Sequence, residues 1–283
     1  QPHKQRFPGR NPSSMIDFTQ IARYEFEKVL TDSIEQQNSD TVIASDIIKN
    51  MALISFTRFA KSSSLYFSLS HTLSTSIIGL RLLNAMRCRD GMTKPEQAIN
   101  LMASVLFCNI GVIKGILDED DGDRQKLNDE QVRSVNHDFT DSSMWKYKSY
   151  RSKKFIQSIS FLDTNTDFKV VSRAIECSDF FMNNTETSTD DAEGEDIAKY
   201  VRAIQVISLI SDQNYQRKLV EFYLSAQEAG VIDTSIFKDL AEFRKKWSQY
   251  FWERLYPEVG EEILLLRETS EGRNIVSQIY AHL

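Results

Sequence analysis

The segment Glu96–Leu117, EQAINLMASVLFCNIGVIKGIL, decides the fold. Its middle is apolar on nearly every side, and such a helix belongs at the centre of a bundle rather than on its surface. Thr93-Lys94-Pro95-Glu96 leads into it, with Thr at an N-cap position, Pro in the first turn and Glu three residues after the Thr. The pattern predicts one helix over 96–117. Just upstream, Leu65–Met86, LYFSLSHTLSTSIIGLRLLNAM, is long and mostly apolar and predicts a second central helix, closed by Asp90-Gly91.

Working outward, Ile16, Ile21, Tyr24, Phe26, Val29, Leu30 and Ile34 recur at helical spacing and predict a first helix over 16–35. Ser45-Asp46 reads as the N-cap of a second helix running to about Ala60. Residues 118–150 read as a long, polar, partly ordered excursion. It opens with the acidic run Asp118–Asp123, which reads as a solvated helix terminus because it lacks the register of a calcium-binding EF-hand loop. Helices resume over 151–161 and 169–181, and Asn183–Asp196 reads as an acidic, solvated loop. Further helices are expected over 197–227 with a break near Asp212, over 235–255 and over 260–283. No internal repeat and no alternating strand pattern competes. The expectation is an all-α helical bundle: a flexible arm over 1–14, N-terminal helices over 15–64, and a helical domain over 65–283 that forms one compact unit with 15–64.

Composition agrees with one large helical domain. The chain has 283 residues, 41% of them hydrophobic and 26% charged, with only ten glycines and five prolines, which excludes wholesale disorder and a turn-rich sandwich. Thirty-four basic against 40 acidic residues leave a net charge of −6, so no general affinity for nucleic acid or anionic membrane is expected. Cys88, Cys108 and Cys177 form no CxxC pair and leave an odd thiol, the usage of a reducing, cytoplasmic compartment. No apolar run is long enough to suggest a membrane span, and residues 1–14 lack the apolar core of a signal peptide.

Chemistry-bearing residues are few. His3 and His282 read as solvated. His137-Asp138 lies in the polar excursion and reads as a surface pair. Cys108, inside an apolar helix, reads as a structural thiol rather than a nucleophile. No nucleophile elbow, P-loop or dinucleotide fingerprint occurs. What remains is His71 in an otherwise apolar helix, followed about 37 residues later by Leu106-Phe107-Cys108-Asn109-Ile110-Gly111 and then Val112-Ile113-Lys114-Gly115-Ile116-Leu117. Downstream come Thr140-Asp141 to Phe155 (TDSSMWKYKSYRSKKF) and residues 201–219 (VRAIQVISLISDQNYQRKL). Tyr250-Phe251-Trp252 and Thr269-x-Glu271-Gly272 follow near the end.

Over roughly residues 65–283 this order of motifs resembles the HD superfamily of metal-dependent phosphohydrolases. In that superfamily a lone His is followed by apolar-His-Asp-Ile-Gly and a later Asp. The resemblance implies an HD-domain-like bundle whose metal site falls at His71, Cys108, Asn109, Lys148 and Gln205. Only His71 keeps a ligand type: the His-Asp dyad is Cys108-Asn109, a Tyr-His position is Tyr147-Lys148, and the late Asp is Gln205. Neutral amides and a protonated amine are poor donors to a hard cation. The expectation is therefore a protein that has lost phosphohydrolase activity, holds no cofactor, and binds an anionic small molecule or a protein partner. The alternative is an active phosphohydrolase using iron, manganese or magnesium with an altered ligand set.

Lys146, Lys148, Arg151, Lys153 and Lys154 put five cations into nine residues of an acidic chain. Lys148, Arg151 and Lys153 are the candidate anion-binding residues. Lys148 would stand in for the missing ion and pair with a phosphate or an internal carboxylate. His71, Asn109 and Gln205 are expected to meet at the bundle centre beside Cys108. An Asp placed at 109 would then cost a few kcal/mol as a buried unpaired charge. The long apolar helices are compatible with a homodimer but locate no interface, and a third reading is a ligand-free assembly factor acting through an exposed apolar face or through Tyr250, Phe251 and Trp252.

Overall fold

The computed structural model describes residues 17–33, 39–91, 94–136, 138–181 and 192–283. The arm, Thr93, His3 and His137 lie outside these. The architecture is all-α. Helices α1 (Phe18–Ser33) and α2 (Ser39–Phe59) pack on α3 (Leu69–Asp90) and α4 (Pro95–Phe107), and all four share one apolar core. Ser45 and Asp46, expected at an N-cap, lie inside α2, whose Ser45 is fully buried. Leu65–Ser68 stay outside α3, because the Ser68 side chain accepts from the His71 amide and caps the helix there. Gly91, at φ 93°, stops it at the other end in the left-handed region where a Cβ would be strained.

The second central helix is shorter than expected. α4 ends at Phe107, and Ile110–Val112 form a single 3₁₀ turn. The cause lies at Gly111, which packs backbone to backbone against α5 (Lys148–Ser158): a Cβ there would overlap Lys148 O and come within 2.7 Å of Ser152 N. Ser152 Oγ accepts from Gly111 N at 2.9 Å, and Arg151 Nε donates to Gly111 O at 2.7 Å. Apolar periodicity continues through this turn because the turn is itself buried, so periodicity alone does not reveal the break.

Residues 118–150, expected to be partly ordered, hold regular structure at two places. They hold an antiparallel hairpin, β1 (Arg124–Lys126) with β2 (Val132–Ser134), then a 3₁₀ segment over Asp141–Tyr147. The chain continues through α6 (Ser160–Asn165), α7 (Phe168–Cys177), α8 (Ala192–Ile210) and α9 (Tyr215–Glu228). Ala192–Asp196, expected in a loop, belong to α8, and the break near Asp212 separates α8 from α9. α10 (Leu240–Tyr250), a wide π-type turn over Phe251–Leu255, α11 (Tyr256–Leu265) and α12 (Ser270–His282) close the bundle. In the aromatic trio at 250–252 Phe251 is core and Tyr250 packs against it, leaving Trp252 as the exposed member. Among the described residues no helix is long and apolar enough to cross a membrane.

Candidate functional site

The five positions assigned by resemblance come from four separate segments and meet in the core. His71 sits in the first turn of α3, Cys108 and Asn109 follow the end of α4, Lys148 starts α5, and Gln205 lies within α8. All five are buried. Lys148 Nζ donates to Asn109 Oδ1 at 3.0 Å, Asn109 Nδ2 donates to Gln205 Oε1 at 2.9 Å, and Gln205 Nε2 donates to Cys108 Sγ at 3.4 Å. The chain of donors thus runs from an ammonium through two amides to a thiol, which is directed toward Val105 O at 3.6 Å.

The counter-charge comes from Asp179, just beyond α7. Its Oδ2 lies 3.8 Å from Lys148 Nζ and accepts from Trp145 Nε1 at 2.6 Å. Ser178 Oγ accepts from the same ammonium at 3.2 Å. Ser178 and Asp179 are absent from the sequence reading. The available signal was a carboxylate between Cys177 and Phe180-Phe181, a setting where a solvated Asp has little reason to be.

His71 borders this network but is poorly integrated into it. Burial pushes its pKa well below the usual imidazole range, and the Lys218 and Lys148 ammonium groups add to the shift. Gln205 opposes the shift without reversing it, so the ring is neutral, and the imidazole Nε2 of His71 has no hydrogen-bond partner among the described residues. The imidazole packs against Tyr66 with centroids 4.3 Å apart, and Tyr66, Phe67, Trp145 and Phe222 enclose that side. Burial also pushes the Cys108 thiol up to about 11, and the Lys148 ammonium only partly offsets this, so Cys108 is protonated and unreactive.

This donor set does not fit a divalent cation. It offers one neutral imidazole, one protonated thiol, two amides and an ammonium that repels a second cation. Among the described residues no group of three or more His, Cys, Asp or Glu side chains could hold an ion.

The three candidate anion-binding residues do not converge. Arg151, fully buried, forms a two-pronged pair with Asp120 at 3.0 and 2.8 Å and donates to the carbonyls of Gly111, Ile113 and Lys126. Its donors are spent on folding the 111–126 segment, which corrects the reading of Arg151 as an anion ligand. It also corrects the reading of Asp118–Asp123 as wholly solvated, since the Asp120 side chain is buried. Lys153 pairs with Glu176 near the surface at 2.5 Å. His282, expected in solvent, stacks on Tyr215 and its Nδ1 lies 2.6 Å from Ile210 O. Asp138 stays in the loop, and His137 falls outside the described residues.

Fold and site together define an all-α bundle with a buried polar centre in which the Lys148 ammonium faces the Asp179 carboxylate. The chain belongs to the Npun_R2479-like family, whose family model matches residues 17–283. No curated protein and no solved structure matches it.

Proposed function

We propose that this protein is a non-catalytic relative of HD-type phosphohydrolases that acts by binding a protein partner. The observation that carries the reading is Lys148. Its ammonium lies among Asn109, Ser178 and Asp179, and Lys148 and Asn109 are two of the five positions that the resemblance assigns to the metal site. One fixed internal cation supplies positive charge there without exchange, and the amides at 109 and 205 need no ion to offset them. The centre stabilises the bundle, and its amides and ammonium are poor donors to a cation that would activate a substrate water.

A protein partner is favoured over an anionic small molecule because Lys148, Arg151 and Lys153 each face a carboxylate of the same chain. The test is elemental analysis of the purified protein with assays on p-nitrophenyl phosphate and bis-p-nitrophenyl phosphate, supplying iron, manganese or magnesium. No bound metal and no turnover is the expected result. Stoichiometric iron or manganese, or metal-dependent hydrolysis that His71→Ala abolishes, would overturn the proposal.

A further inference from the structure

The outer face of α3, opposite the side that carries His71 inward, is an open groove. Two adjoining cavities of about 790 and 740 Å³ run along it and share Ser70 and Leu73. Leu69, Leu73 and Ile77 recur every fourth residue and form its floor, with Ile275 of α12 beside them, all only partly buried. α1 forms one wall and carries Phe18 and Ile21, whose surfaces are 69% and 50% exposed. The rest of the lining is the end of α2 and the turn after it at the first cavity, and α12 with the α8–α9 turn at the second. From Leu69 to Arg81 the floor is about 18 Å long at 1.5 Å per residue. That is the length of three to four helical turns.

The charges along this groove are one-sided. Asp17, Glu25, Asp212 and Glu271 line it, against Arg81 as the one cation among its described lining residues. The Ser270 hydroxyl, donating to Glu271 at 2.7 Å, lowers that carboxyl's pKa, and Arg81 adds to the shift. An apolar floor between acidic edges complements a helix with an apolar stripe and cations on both flanks, read through anchors at i, i+3, i+4 and i+7.

We propose that the groove along α3 docks a basic amphipathic helix of about 12 residues from a partner protein. This rests on the reading of the chain as a binding protein and names where and what it binds.

The probe is a fluorescein-labelled 14-residue peptide with leucines at i, i+3, i+4 and i+7 and lysines flanking them, followed by anisotropy against the full chain. Its control keeps the leucines and replaces the lysines with glutamates. The lysine peptide is expected to bind at least tenfold more tightly, and to lose that advantage as salt is raised. Glu25→Lys with Glu271→Lys, both at exposed positions, should weaken it about tenfold or more. The same two charge reversals at Glu119 and Glu130 on the hairpin side should leave it unchanged. Leu73→Asp tests the floor, with circular dichroism to establish folding. Equal binding of both peptides, no binding, or equal effects of the two double variants would overturn the proposal. So would displacement of the probe by a peptide of residues 1–16, or a dimer that the probe dissociates, since the chain itself would then be the occupant. Metal-dependent hydrolysis alongside groove binding would sink the non-catalytic reading alone; no binding by an inert, metal-free protein would sink the groove alone.

Discussion

Replacing Lys148 with Met removes the ammonium that Asn109, Ser178 and Asp179 face while keeping most of the side chain's volume. Three groups lose a partner: Asn109 Oδ1, Ser178 Oγ and the Asp179 carboxylate. Breaking a buried ion pair from one side costs about 3–5 kcal/mol. At 3.8 Å the pair is long, and Asp179 keeps the Trp145 indole and the Phe181 amide as donors. The loss therefore belongs at the lower end, about 3 kcal/mol, of which an orphaned Asn109 oxygen accounts for about 1 or more. At about 2–4 °C per kcal/mol for a large domain, Tm should fall by roughly 6–12 °C. Adding Asp179→Asn removes the stranded charge and leaves an oxygen for Trp145, so the double variant should recover at least half of the loss. Differential scanning calorimetry of the wild type, both single variants and the double variant closes the cycle. A Lys148→Met protein that melts within 1 °C of wild type, or a double variant no better than the single, would refute the assignment of Lys148 as the internal counter-ion.

Other consequences follow from the same geometry. Asn109→Asp should cost about 3 kcal/mol, because Asp179 already balances the Lys148 ammonium and the new carboxylate would face Gln205 Oε1, which now accepts from Asn109 Nδ2 at 2.9 Å; a melt within 1 °C of wild type would contradict this. Gly111→Ala should abolish soluble expression or lower Tm by more than 10 °C, since the added methyl overlaps the backbone of α5, and a near-native melt would show that the α4–α5 contact can open. His71 is neutral when folded and has a depressed pKa, so below about 6.5 the unfolded chain takes up a proton that the native protein refuses. Stability should fall as pH drops below that point, by up to about 1.4 kcal/mol per unit from this residue, and His71→Phe should flatten the slope in urea titrations at pH 5–7. Under native conditions Ellman's reagent should label exposed Cys88 quickly and Cys108 only on unfolding, because burial holds that thiol near 11; equal rates would refute its burial.

Much of the scaffold was legible in the residues themselves. The apolar runs around 65–86 and 96–117 could only be core, and the break near Asp212 was visible as a polar gap between helical patterns. These signals are local, set by side-chain periodicity and turn chemistry within a few residues. His71, Cys108, Asn109, Lys148 and Gln205 could be singled out because each departs from its surroundings or from the motif that the chain resembles.

What the sequence could not supply is which partner each polar group finds. Lys148, Arg151 and Lys153 are near neighbours in the chain, yet they pair with Asp179, Asp120 and Glu176 across 31, 31 and 23 positions. A run of cations therefore reads as one patch, and only the folded chain separates it into two buried pairs and one surface pair. The end of α4 at Phe107 has the same origin. Nothing in residues 105–117 forbids a longer helix; the stop is imposed by α5, which needs Gly111 at backbone contact and holds it through Ser152 and Arg151. Periodicity and composition determined the helices and their apolar faces, because both act at short range. Tertiary structure decided which charges are buried against which, because a desolvated ion is stable only where a distant segment brings its counter-charge within a few ångströms.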